Sequence, residues 1–137
     1  MEELQLFVKQ MRATSSSLDK VEILKQQSEF IQKVLEYTYN PYKQYYVTSK
    51  TCKKNSGLFK YNTHKTIFSL LDDLTNRKYT GHDAIAQING FITANPGYED
   101  LIYSIIDKDL KTRTGAKVIN KAFPGLIPEF NVALAQT

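Results

Sequence analysis

Apolar residues recur along this chain at helical spacing and hardly anywhere at strand spacing. Leu4, Phe7, Val8 and Met11 fall at i, i+3, i+4 and i+7, one face of an amphipathic helix. The run Ser15-Ser16-Ser17 breaks that stripe, and a serine there can cap a second helix with Leu18, Val21 and Leu24 turned inward. Ser28 is placed to cap a third, with Ile31, Val34, Leu35 and Thr38 on one face. That helix should end before Asn40-Pro41, because the residue preceding a proline is pushed out of the helical region. A fourth carries Ile67, Leu70, Leu71 and Leu74; a fifth opens at Thr80, carries Ile85, Ile88 and Ile92, and closes at Asn95-Pro96-Gly97. A sixth shows Leu101, Ile102, Ile105, Ile106 and Leu110, and a short seventh starts near Thr114. Residues 41–61 are the least regular part, aromatic and basic, with a turn at Asn55-Ser56-Gly57. Only Tyr45-Tyr46-Val47-Thr48 favours a strand, and it has no second strand to pair with. The pattern predicts an all-α domain of about seven or more short helices.

Length and composition narrow this further. The 137 residues suffice for one domain with its own core, and 42% apolar content argues against disorder. No stretch of about eighteen apolar residues is present, so no membrane partner is expected. Glu2, Glu3, Gln5, Lys9 and Gln10 interrupt the first twenty residues, which therefore do not read as a secretory signal. Cys52 is the single cysteine, which rules out an internal disulfide and points to a reducing, cytoplasmic setting. Cys52, His64 and His82 lack the spacing of zinc ligands, so no metal site is expected.

Charge is unevenly spread. Lys43, Lys50, Lys53, Lys54, Lys60, Lys65, Arg77 and Lys78 face only Asp72 and Asp73 within residues 37–80, whereas the flanking segments are each slightly acidic. The net +4 of the chain thus resides in its middle. Such a segment fits either a solvated lysine-rich loop or a surface that tracks phosphates.

Catalytic chemistry is not legible. There is no glycine-rich phosphate loop and no Ser/His/Asp constellation. Asp107 and Asp109 flank Lys108, but a solvated helix end accounts for them better than a paired-carboxylate site. Two short stretches have the grammar of a phosphate grip. Thr80-Gly81 follows Arg77-Lys78, and Thr114-Gly115-Ala116-Lys117 follows Lys111 and Arg113. In each, small residues open a helix, where backbone N–H groups and the helix dipole favour an anion, and cations stand alongside. Ordinary capping explains the same residues, and the pattern alone favours it. Asn120, a poor helix former, suits either C-capping before Phe123-Pro124 or a phosphate or sugar contact, with Lys121 beside it. Tyr45 and Tyr46 suit either buried anchoring or contact with a sugar-phosphate backbone.

Several of these strings occur together in one known family. Gln44-Tyr45-Tyr46, Arg77-Lys78-Tyr79-Thr80-Gly81, Asp109-Leu110 followed by a glycine, Asn120-Lys121, and the strap Phe123-Pro124-Gly125-Leu126-Ile127-Pro128-Glu129-Phe130 stand in one order. This series resembles the N-terminal DNA-binding domain of ATP-dependent DNA ligases of the T-even phage type. The likeness is weakest over residues 1–35 and strongest from 77 onward. It departs from the family at Lys111-Thr112-Arg113-Thr114, which separate Asp109-Leu110 from Gly115.

The resemblance implies a compact helical domain over residues 1–123 and an exit strap over 124–137, leading toward a nucleotidyltransferase domain. It implies non-sequence-specific binding of nicked duplex DNA from the minor-groove side, by a monomer in the host cytoplasm, during replication and repair. Lys43, Tyr46, Arg77, Lys78, Thr80, Gly81, Lys111, Arg113, Thr114, Gly115, Ala116, Lys117, Asn120 and Lys121 are then the DNA-contacting candidates. The family attaches AMP to a lysine in a Lys-x-Asp-Gly motif, absent here, so no catalytic residue is expected in this chain, and ATP and magnesium belong to the missing domain. The alternative is a stand-alone helical adaptor that binds RNA or a protein.

Overall fold

The computed structural model describes residues 1–128. Among them eight helices and no strand occur: α1 (Glu2–Arg12), α2 (Ser17–Lys25), α3 (Glu29–Tyr39), α4 (Ser49–Lys54), α5 (Ile67–Thr75), α6 (Gly81–Ala94), α7 (Glu99–Ile106) and α8 (Ala116–Ala122). The all-α expectation holds. None of these helices is long and apolar enough to cross a membrane.

The apolar stripes meet in one core. Leu4, Phe7, Val8 and Met11 of α1 are buried with Ile31, Val34, Leu35 and Thr38 of α3 and Ile67, Leu70, Leu71 and Leu74 of α5. Around them α2 packs on α8, α3 on α7, and both α4 and α5 on α6. Hydroxyl caps fix three of the starts: Ser16, Thr48 and Thr66 accept from the N–H of Asp19, Thr51 and Ser69.

Four local expectations need correction. Leu18 is 80% exposed, and the inward positions of α2 are Lys20 and Leu24, one turn apart. Ser28 stands at the N-cap of α3 without making a capping bond; its hydroxyl donates instead to the carboxylate of Glu3. Ile92 is only half-buried at the end of its stripe. Residues 41–61 contain α4, too short at six residues for a period to show in the sequence.

Segment 55–62 crosses α6 at very close range. The Asn89 side chain donates to the carbonyls of Asn55 and Leu58, and Lys60 N–H donates to the Ala86 carbonyl. Gly90 permits the crossing, since a Cβ there would overlap the Lys60 carbonyl oxygen. The start of the strap is pinned too. Asn120 donates to the Ile127 carbonyl and accepts from its N–H, both at 2.9 Å, and Ile127 is buried. Residues 129–137, which include Glu129 and Phe130 of the expected strap, lie outside the described residues.

Candidate nucleic-acid interface

Helix α5 ends in a Schellman turn, and its special position is taken by a cation. Arg77 N–H donates to the Leu74 carbonyl and Lys78 N–H to the Asp73 carbonyl, which places Arg77 in the left-handed region at φ 61°. Glycine normally fills that position, because a Cβ there costs about 1 kcal/mol. The guanidinium of Arg77 stacks 4.1 Å from the ring centroid of Tyr46, itself left-handed at φ 61° and 63% exposed. Lys78 is exposed and lies 3.9 Å from Asp73.

Three residues on, the chain enters α6. Thr80 occupies the N-cap with extended backbone but makes no side-chain cap bond; its carbonyl accepts from Asp83 and Ala84. Gly81 follows at φ 55°, a conformation that favours glycine. Among the described residues no protein acceptor meets the N–H groups of Gly81 and His82, and Gly81 is exposed. Open donors and a helix dipole thus stand within five positions of Arg77 and Lys78, both of them exposed.

A second Schellman turn closes α7. Lys108 N–H donates to Ile105 and Asp109 N–H to Ser104, with Lys108 left-handed at φ 64°. Here the cation points inward. Its Nζ donates to the carbonyls of Asn40 at 2.7 Å and Lys43 at 2.6 Å and lies 5.2 Å from the Tyr45 ring centroid. Burial pushes its pKa from 10.5 down to about 8; nearby Glu36 opposes the shift and Lys43 adds to it. Lys108 thus ties α7 to loop 40–46. The paired tyrosines separate: Tyr45 is buried and donates to the Tyr37 carbonyl, while Tyr46 faces solvent. Lys43 is half-buried, 4.3 Å from the Tyr37 ring centroid and 4.0 Å from Glu36.

Beyond Lys108 the chain alternates. Leu110, Thr112 and Thr114 are buried, whereas Lys111, Arg113 and Gly115 are exposed. Two basic side chains from the first helices hold this segment by its carbonyls. Arg12 donates to Leu110, and the buried Lys20 donates to Thr112 at 3.1 Å and Arg113 at 3.4 Å. Lys111 and Arg113 are left-handed, at φ 59° and 57°. The Thr114 hydroxyl is spent inside, on the Thr112 carbonyl, so the exposed N-cap of α8 is Gly115. Gly115 has φ −105° and open space where a Cβ would stand. Ala116 is half-buried; Lys117 and Lys121 are exposed. The Asn120 carboxamide engages the strap through Ile127.

Tyr46, Arg77, Lys108, Lys111 and Arg113 are the five left-handed non-glycine residues among those described. Four of them belong to the residues that the sequence singles out as contacts. Backbone strain of this kind costs on the order of 1 kcal/mol per residue and collects where geometry serves a ligand.

The chain is similar to part of a phage DNA ligase. It is 30% identical over 115 residues to the DNA ligase of Enterobacteria phage T4, a stretch that takes in 80% of this chain and 23% of that enzyme. Identity and coverage are the same for the DNA ligase of Enterobacteria phage T6. This chain thus spans about a quarter of the length of the curated relatives it matches, a ligase-related region. No family model matches it.

Lys20 and Lys108 carry much of this geometry, yet the residue pattern assigned Lys20 no role and Lys108 only a place between Asp107 and Asp109. Lys20 breaks an apolar stripe, and only α8 and the 110–114 segment give its charge a purpose. Asp107, set beside Lys108, accepts from the N–H and hydroxyl of Ser49 and so fixes the start of α4, while Asp109 accepts from Lys111 N–H at 2.8 Å. Neither carboxylate is part of a group that could hold a metal, and no such group occurs among the described residues.

Proposed function

We propose that this chain is the DNA-binding region of an ATP-dependent DNA ligase and holds nicked duplex without regard to sequence. Similarity to the phage enzymes supports the reading. One observation carries it: three of the five left-handed non-glycine residues, Arg77, Lys111 and Arg113, are exposed cations expected to meet DNA. A duplex of any sequence is recognised through its backbone, which requires donors at phosphates rather than at base edges. Gly81 and His82 offer two backbone N–H groups, with Arg77 and Lys78 beside them and Tyr46 placed against a sugar. Lys111, Arg113, Lys117 and the open start of α8 supply a second grip, and Lys121 extends it. The two grips engage the duplex from its minor-groove side as a monomer and hold the nick for sealing in replication and repair. Transfer of AMP falls to a separate domain that carries the lysine motif, ATP and magnesium. Lys43 and Asn120 then serve by positioning: Lys43 supports loop 40–46 and Asn120 orients the strap.

The test is a titration of labelled duplexes of several sequences across salt concentrations. Kd on the order of 10⁻⁴ to 10⁻⁶ M at physiological salt, similar for all sequences, is the expected result. Replacing Arg77 and Lys78 together with alanine should lower the slope of log K against log salt by about 1 for each phosphate no longer neutralised. A hundredfold preference for one sequence, or an unchanged slope in that double variant and in Arg113→Ala/Lys117→Ala, would refute the reading.

A further inference from the structure

Segment 58–62 lies extended across α6, and its alternation sorts its side chains. Lys60 turns toward the helix: its N–H donates to Ala86, and its ammonium meets Asp83 at 2.5 Å. Phe59 and Tyr61, two positions apart, fall together on the outer side. Their centroids are 5.3 Å apart with the planes at 82°, an edge-to-face pair. The pair is nonetheless open to solvent, with Phe59 44% and Tyr61 86% exposed.

Isolated exposed aromatics are common and need no explanation. This pair differs because its backbone is anchored at three points, by Asn89, Ala86 and the close approach at Gly90. The two rings thus stand on an anchored backbone, with Tyr61 turned to water. Asp83 is paired with Lys60, and the charge near the rings in the chain is basic. Lys54 and Lys65 lie within five positions on either side, both exposed, and no acidic residue occurs between Glu36 and Asp72. The patch is also continuous with the interface described above. Asp83, which Lys60 grips, stands in the first turn of α6, and Ala86 lies only about 7.5 Å along that helix from Gly81.

We propose that Phe59 and Tyr61 form a stacking platform for unpaired nucleotides that extend from a duplex held at the start of α6. The proposal rests on the duplex-binding reading and adds a feature of the substrate to it: a single-stranded tail or displaced flap. The bases of an intact duplex present no free faces, so a ring platform gains from an unstacked base, while Lys54 and Lys65 neutralise its phosphates. A hydrophobic protein partner would use the apolar area equally well, but it would not call for flanking lysines such as Lys54 and Lys65, which have no acidic partner among the described residues.

The test compares three probes on the 137-residue chain: a blunt duplex, the same duplex with a short oligothymidine extension at either end, and the oligothymidine alone. The extension should tighten binding about fivefold to tenfold, the scale of one or two stacked bases. Phe59→Ala/Tyr61→Ala should abolish that gain and leave blunt-duplex affinity within about twofold. Phe59→Leu/Tyr61→Leu keeps apolar area but removes the rings, and should abolish the gain as well. Equal affinity of the native chain for tailed and blunt duplex would overturn the platform and leave the duplex reading intact. Retention of the gain in the leucine variant would also overturn it, in favour of a merely apolar docking surface. Failure of every duplex to bind would instead sink the parent reading. Oligothymidine binding that the alanine variant lost would then support the platform by itself, and no binding would end it.

Discussion

Thr80-Gly81 and Thr114-Gly115 are written alike, each a threonine and a glycine opening a helix beside cations, yet they are built differently. At the first, Thr80 is exposed and Gly81 adopts φ 55°, so the backbone conformation favours the glycine. At the second, Thr114 is buried on Thr112, and Gly115 has φ −105° with free space beyond its Cα. Any residue could adopt that backbone. The folded chain therefore has no need of a glycine at 115; under the proposed duplex binding, access to the backbone N–H groups of α8 supplies the reason. Identical local grammar can thus carry a conformational preference for glycine in one place and none in another.

Gly90 offers the severest check on arguing a glycine from its surroundings. Gly90→Ala drives a methyl into the Lys60 carbonyl. Helix propensity alone would favour alanine by about 1 kcal/mol, but displacement of the 58–62 segment should outweigh that and cost about 3 kcal/mol. Urea unfolding reads this directly; an unchanged midpoint would show that the crossing over α6 is not close.

Lys108 bears on the second helix start, because it anchors the turn that leads into it. Lys108→Met should cost roughly 1–3 kcal/mol, since it leaves the carbonyls of Asn40 and Lys43 without their donor. A pH signature should accompany the loss. The folded chain releases this proton near pH 8 and the unfolded chain near 10.5, so between those values the unfolded state binds more protons. Stability should therefore rise with pH through that window. From pH 9.0 the contribution of Cys52 runs the other way, its thiol held up to about 11 by burial, and above 10.0 Tyr37 and Tyr45 add to that loss. The readable interval is pH 8 to 9, and Lys108→Met should flatten the rise there. Parallel curves for the two proteins would remove Lys108 from the account.

Gly81→Ala sharpens the comparison at its first half. A Cβ at φ 55° has room but an unfavourable conformation, so stability should fall by about 1 kcal/mol. Gly115→Val, at its second half, should leave stability within about 0.5 kcal/mol. Duplex affinity should nevertheless drop about fivefold, as befits the loss of one hydrogen bond to a phosphate. Reduced stability with unaltered binding per folded molecule would make Gly115 a structural residue like Gly81.

Much of the fold was legible because its helices carry full apolar faces. The stripes at Leu4–Met11, Ile31–Thr38 and Ile67–Leu74 are buried as spaced. Helix α2 misled because a charged residue occupies its inner face: Leu18 is exposed and Lys20, bonded to two carbonyls, takes the interior position. The candidate contacts divided in a similar way. Arg77, Lys78, Gly81, Lys111, Arg113, Gly115, Lys117 and Lys121 reach the surface, while Thr114, Asn120 and Lys43 carry interactions inside the molecule. Polar residues read as contacts in a sequence become supports once a neighbouring carbonyl is in reach.

The all-helical architecture, the basic middle segment and the likeness to phage ligases follow from the order of residues alone. Periodicity, net charge and motif order are properties of a line, and none of them needs a third dimension. Packing in space settles the rest: which tyrosine of the pair Tyr45-Tyr46 is buried, why Gly90 has no side chain, and that Arg77 stacks on Tyr46. It also sets cations in left-handed turns. Each of these depends on what lies opposite a residue, and chain neighbours do not specify that. The partner of Arg77 is thirty-one positions away, brought to it by the close of α5 and a loop tied down by Lys108.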